Sequence, residues 1–232
     1  MRDKKKNFQY FEEYINLHSK LLEKIQINIE NSNNDKERKE RFMMAKGVAE
    51  YNLLKALYSA GNSLENVKKI YLDFLDDMEY FFNENSSILY MYDVLSLAVL
   101  FNIDKKTVNK LFIILEKVNR EDGITNLYKK YFEKNIKIEN VKSSYGSPYD
   151  DLLKIMTKDI KNKKNELLNY LRNLWYRGHS QAFWYNSHKD KQNSYVGYWS
   201  FEAGVIAKIL GIDDSDLKDE PYYPYDLVHY CD

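Results

Sequence analysis

Cysteine, proline and glycine are all scarce in this chain: 232 residues include one cysteine, three prolines and eight glycines. A single cysteine, Cys231, excludes an intrachain disulfide, and a reducing cytosol is the expected compartment. So few helix breakers leave little to punctuate helical stretches. Net charge is missing as well. The 35 basic residues cancel the 35 acidic ones, so no global field draws the chain to nucleic acid. Long hydrophobic runs are also absent: the longest, Ile88 to Phe101, contains Asp93 and falls short of the ~20 residues a membrane span needs. The basic opening Met1-Arg2-Asp3-Lys4-Lys5-Lys6 leads into a segment broken by Glu12, Glu13, Lys20 and Glu23, which is not a signal-peptide pattern. Neither a nucleic-acid nor a membrane partner is expected.

What is present is helical periodicity. With 44% hydrophobic residues the chain can bury roughly 70 to 75% of its unfolded surface. Apolar residues recur at spacings of three and four almost throughout, which predicts an all-α, multi-helix bundle. The first helix spans Phe8 to Ile29. A second, Lys36 to Ala60, stops at Gly61, and Asn62 or Ser63 caps a third that turns Val67, Tyr71, Phe74 and Met78 inward. Ile88 to Phe101 is apolar all round and reads as a central helix. Asp104 starts the next, and a shorter one covers Ile124 to Phe132.

Periodicity lapses from Ile136 to Tyr149, which predicts a linker between an N-terminal helical region, 1–135, and a C-terminal one, 147–232. Ser147 as cap, Pro148 at the first helical position and Asp150 and Asp151 in the first turn then predict one long helix to about Trp175. Asn193 or Ser194 caps a last helix, Tyr195 to Leu210, ended by Gly211, with Val196, Trp199, Ala203, Ile206 and Leu210 inward. A weak echo links the halves: Tyr92-Asp93, Ala98, Asn102-Ile103-Asp104 and Val108 match Phe201-Glu202, Ala207, Gly211-Ile212-Asp213 and Leu217 at a constant offset of 109.

No constellation for chemistry stands out. His179, His188, His229 and Cys231 lack metal-ligand spacing, and no glycine-rich phosphate loop or Gly-x-Ser-x-Gly occurs. Glu37-Arg38-Lys39 lies in a charge run that opens a helix and reads as a solvated face. Glu202 borders an apolar face, where a buried carboxylate needs a partner: Arg177 or a tyrosine hydroxyl. No catalytic residue, cofactor or metal is expected.

The unusual stretch is the last quarter. All three tryptophans, Trp175, Trp184 and Trp199, fall within 25 positions, and from Asp213 to Asp232 seven acids face one lysine. Lys154 to Lys191 just before is the reverse, with nine basic residues and three acids. One of Asp213, Asp214 and Asp216 suffices to cap a short helix around Ser215 to Lys218. The surplus, with Asp219, Glu220 and Asp226, is left for a partner, and Tyr222, Tyr223 and Tyr225 serve either as core lids or as exposed anchors. Aromatic rings beside carboxylates suit a basic protein partner.

The run Tyr195-Val196-Gly197-Tyr198-Trp199-Ser200-Phe201-Glu202-Ala203, then Ile209-Leu210-Gly211-Ile212-Asp213-Asp214 and Tyr222-Tyr223-Pro224-Tyr225-Asp226-Leu227, resembles the C-terminal signature of PoNi-type immunity proteins. These are antidotes to PoNe-type polymorphic DNase effectors. The resemblance covers about Trp175 to Tyr230, whereas the N-terminal half is similar only in being helical and of suitable length. It implies a protein that binds and neutralises a cognate toxin domain, a basic nuclease, without chemistry of its own. Carboxylates at the mouth of a phosphate-attracting groove would oppose it directly. The alternative reading is a helical adaptor for some other protein.

Overall fold

The computed structural model describes residues 1–32, 34–135, 142–157 and 161–231. Every regular element among them is helical, and the chain divides into two compact units.

The first unit joins Met1–Asn83 to a returning segment, Asn186–Tyr198. Its three long helices begin where a side chain satisfies the first unpaired amides. Asn7 caps α1 (Phe8–Glu30), Asp35 caps α2 (Lys36–Ala60) and Ser63 caps α3 (Leu64–Phe81). Gly61 ends α2 in the left-handed region, at φ 88°, where a glycine costs least. Helix α2 packs against α1 and α3 together, so it buries residues around most of its circumference. Close approach to α3 depends on Gly47: a Cβ there would lie 2.9 Å from Phe81 Cβ. Lys46 reaches into the same interface, 2.8 Å from Asp77 and 3.4 Å from Glu50. Burial, and then the neighbouring Asp77 charge, raises the Glu50 carboxyl well above the usual carboxylate range.

Residues Tyr195 to Ser200, expected to open the last helix, are not helical. Other groups claim the backbone polar atoms that a helix would pair. Tyr10 OH donates to Tyr195 O (2.9 Å) and accepts from Tyr195 N (3.1 Å), and Ser59 Oγ donates to Val196 O (2.7 Å). The Tyr195 hydroxyl donates to buried Asp3, and Gly197 sits at φ 103°.

The second unit comprises Glu84–Tyr185 and Trp199–Asp232. Helix α4 (Ile88–Leu100) is its centre, as the all-round apolar pattern predicts: every residue except Tyr90 is buried. Helices α5 (Lys105–Lys117) and α6 (Gly123–Phe132) come next, capped by Asp104 and by an Asp122–Thr125 capping box. The expected linker lies partly outside the described residues, at 136–141, and its remainder is tied down by hydrogen bonds. Gly123 N donates to Lys142 O (2.9 Å), Ser144 Oγ to Asp122 Oδ2 (2.8 Å) and Ser143 N to Asp150 Oδ1 (2.7 Å).

The predicted single helix to Trp175 is a series of shorter pieces. Helix α7 (Tyr149–Thr157) precedes residues 158–160, which lie outside the description. Asn162 then caps a new start, α8 (Lys163–Asn169), which widens into a π-helical stretch, Tyr170–Trp175, before the short α9 (Tyr176–Gly178). The Ser147 hydroxyl donates to Asp151 Oδ2 at 2.7 Å. Helix α10 (Phe201–Leu210) packs on α4, ends at Gly211 (φ 59°), and leads through a 3₁₀ turn, Ser215–Leu217, to α11 (Tyr225–Val228). The compact units therefore do not follow the chain order of the regions 1–135 and 147–232.

The offset-109 echo is visible in the backbone. Ile103 N donates to Ala98 O (2.9 Å), and Ile212 N donates to Ala207 O (3.0 Å). Asn102 and Gly211, each just past its helix, share the left-handed conformation at φ 53° and 59°. Lys208 of α10 reaches Val99 O, Leu100 O and Asn102 Oδ1, satisfying carbonyls at the end of α4.

Candidate partner-binding site

Gly211 turns the chain out of α10 into the acidic end, and tertiary partners then decide where each carboxylate goes. Asp213 stays exposed, accepting from Ser215 N (3.2 Å); that hydrogen bonding, with Lys164 nearby, holds its carboxyl below the usual range. Asp214 turns inward, 4% exposed, accepting from Tyr223 OH (2.6 Å) and bonding His229 Nε2 (2.9 Å). Asp214 is thus an interior group, correcting the expectation that it faces a partner, and Tyr223, 2% exposed, takes the core-lid alternative. A buried carboxylate must be hydrogen-bonded, and here the tail supplies its own donors.

The other expected residues lie at or near the surface, though several are internally engaged. Asp216 is exposed and 2.5 Å from Lys164 Nζ. Half-buried Glu220 receives two hydrogen bonds from the Arg172 guanidinium, one of them Nε to Oε2 at 2.8 Å. Asp219 and Asp226 are exposed. Tyr225 is half-buried, its ring 4.3 Å from His229 and within 5.7 Å of Lys218 Nζ. The basic run before the tail and the acidic tail therefore partly neutralise each other.

Tyr222 holds a left-handed backbone, φ 71°, that bulky residues rarely adopt. Its ring lies against Tyr176 (5.5 Å between centroids, 10° between planes) and Trp175 (4.9 Å). Tyr176 stacks in turn on Tyr185 (4.6 Å), and Trp175 on Trp184 (5.4 Å). Phe183, adjacent to Trp184 in sequence, is 62% exposed, with Tyr90 as its ring neighbour at 5.4 Å. Sequence reasoning missed Tyr176, Phe183 and Tyr185; the signal available was the clustering of tryptophans around them.

Beneath this surface, Glu202 is 1% exposed. Its Oε1 accepts from Trp175 Nε1 (2.6 Å), Ser200 Oγ (2.8 Å) and Tyr170 OH (3.1 Å), so the partner is a tyrosine hydroxyl rather than Arg177. Oε2 has no hydrogen-bond partner. Burial, then the charge of Asp93, pushes its carboxyl up to about 7.

The histidines hold structure: His179, fully buried, bonds Trp175 O (2.6 Å) and Tyr149 OH (3.1 Å), and His188 bonds Tyr198 OH (2.9 Å). Among the described residues no three His, Cys, Asp or Glu side chains gather to hold a metal, and no helix is long and apolar enough to cross a membrane.

Comparison with known proteins places this arrangement. Residues 2–113 match the family model described as PoNe immunity protein (PoNi), N-terminal, and residues 123–227 match PoNe immunity proteins (PoNi), C-terminal. Searches of curated proteins and of solved structures found no match. With both models matched in order over nearly its whole length, this chain belongs to the PoNe immunity protein family.

Proposed function

We propose that this chain protects its cell by binding a cognate PoNe-type nuclease toxin, a DNase, and holding it inactive without catalysis, in the cytoplasm. The observation that carries the reading is the match of both family models. Two features of the molecule support it. The histidines and Glu202 are occupied in internal hydrogen bonding. The surface of the acidic end offers carboxylates at Asp213, Asp219 and Asp226 beside half-buried aromatic rings, the composition of an interface for a basic partner. A nuclease that grips phosphates must present such a basic surface.

Co-expression with a PoNe-type nuclease domain tests the reading. The two proteins should co-purify, DNA cleavage should fall in proportion to antidote added, and cells carrying both should grow. Undiminished cleavage at excess antidote, or turnover of DNA or toxin by this chain alone, would overturn it.

A further inference from the structure

We infer that the aromatic surface formed by Tyr176, Trp184, Tyr185 and Tyr222 is a docking site for an arginine side chain of the toxin; this rests on the toxin-binding reading above. The site lies within the second unit, on α9, the loop after it and the turn before α11. Tyr185, Tyr176 and Tyr222 form a stack, with centroid spacings of 4.6 and 5.5 Å. Tyr176 lies between Tyr185 and Tyr222, with Trp184 at 6.4 Å, whereas Tyr185 ends the stack, has Tyr176 as its one ring neighbour among the described residues and is half-buried. An aromatic face of this kind attracts a cation, and a planar guanidinium covers it better than an ammonium does.

The backbone points the same way. Tyr222 keeps a φ of 71° that glycine would take without strain, and a bulky residue held in such a conformation marks a place where its side chain is used. The π-helical stretch Tyr170–Trp175, which ends where the stack begins, is another irregularity concentrated at functional sites. Phe183, next to Trp184 in sequence and 62% exposed, is the most exposed large apolar side chain among the described residues of this unit. Exposed aromatic anchors next to half-buried ones are what interface hot spots are made of, and arginine is their commonest charged counterpart.

The charges around the stack are mixed. Tyr222 follows Asp219-Glu220-Pro221 directly, and Arg172, the cation one turn before Tyr176, is already engaged by Glu220. Exposed Arg177, next to Tyr176 in sequence, is a like charge that limits the attraction.

A capped tri-arginine peptide, titrated while the emission of half-exposed Trp184 is followed, tests the site without the toxin. The peptide should bind more tightly than capped tri-lysine, and tri-glutamate should not bind. Tyr222→Gly, which removes the ring where glycine fits the backbone, and Tyr185→Ser should abolish the response with the helical spectrum intact. Arg177→Glu should tighten arginine binding several-fold. With the co-expressed nuclease domain, Tyr222→Gly and Tyr185→Ser should each weaken binding about tenfold or more. Equal response to arginine and lysine, an unchanged response in both ring variants, or unchanged toxin affinity in them would overturn the inference. Loss of toxin binding in the parent chain, with the arginine response intact, would sink the toxin reading while leaving the arginine site standing.

Discussion

Trp175 donates its indole N–H to Glu202 Oε1 at 2.6 Å, 27 positions along the chain, and shares that oxygen with Ser200 and Tyr170. One oxygen of the carboxyl is thereby crowded with donors while the other is buried without any. Those donors favour the carboxylate, but burial and the charge of Asp93 outweigh them and favour the protonated acid.

The first prediction comes from its titration. Burial and Asp93 push Glu202 up to about 7 in the folded protein, against 4.5 as the ordinary value. The folded chain therefore holds a proton that the unfolded chain releases, so this stabilisation is whole below about pH 4.5 and gone above about pH 7. Its size is of order 3 kcal/mol. Glu202→Gln is neutral at every pH, so the stability gap between parent and variant should change by that order between pH 5 and pH 8. Parallel denaturation curves at the two pH values would mean that Glu202 is ionised throughout.

The acidic end should separate into two behaviours. Asp214→Ala leaves buried Tyr223 OH without its acceptor and should cost about 1 to 3 kcal/mol in urea denaturation. Reversing exposed Asp213, Asp219 and Asp226 to lysine should leave the helical spectrum intact but slow association with the nuclease domain and flatten its salt dependence, because steering acts over a Debye length of about 8 Å. Association at the parental rate in the triple variant would place recognition elsewhere on the molecule.

Trp199 is 7% exposed although it precedes α10 instead of lying within it. Trp199→Ala should destabilise by about 3 to 5 kcal/mol, measured by chemical denaturation. A loss below about 1 kcal/mol would show that the ring contributes little to the core.

At Gly204, α10 packs tightly on α11 and the proline before it: a Cβ there would sit 2.8 Å from Pro224 Cγ and 3.0 Å from Val228 Cγ2. Gly204→Ala should cost about 1 to 3 kcal/mol through overpacking, despite alanine's better helix propensity. Faster amide exchange at Tyr225 to Val228 than in the parent would locate the damage in α11; a gain in stability would show that the α10–α11 contact yields easily.

Helix starts and stops were legible where the signal is local. Asp35, Ser63 and Asp104 cap the amides a few positions ahead, and Gly61 and Gly211 close their helices within one turn. What was not legible depends on groups far away in the chain. Tyr195 and Val196 leave helical geometry for Tyr10 and Ser59, 185 and 137 positions distant, although their apolar spacing suits a helix. The candidate site behaves alike: its composition of acids and tyrosines stands out in the sequence, but the inward turn of Asp214 depends on Tyr223 and His229, and the pairing of Glu220 on Arg172. The stack of Tyr185 on Tyr176 and Tyr222 joins three separate stretches, so no single window of sequence contains it.

The return of Asn186–Tyr198 to the first unit bears on how such antidotes can be recombined. Residues 186–198 fall inside the region matched by the C-terminal family model, yet their contacts through Tyr195 and Val196 are with Asp3, Tyr10 and Ser59 of the region matched by the N-terminal one. A chimera that joins the front of one family member to the back of another at the boundary near residue 120 would inherit mismatched halves of this contact. The exchangeable cassette is instead the front region together with its thirteen-residue returning strap, transplanted as a pair.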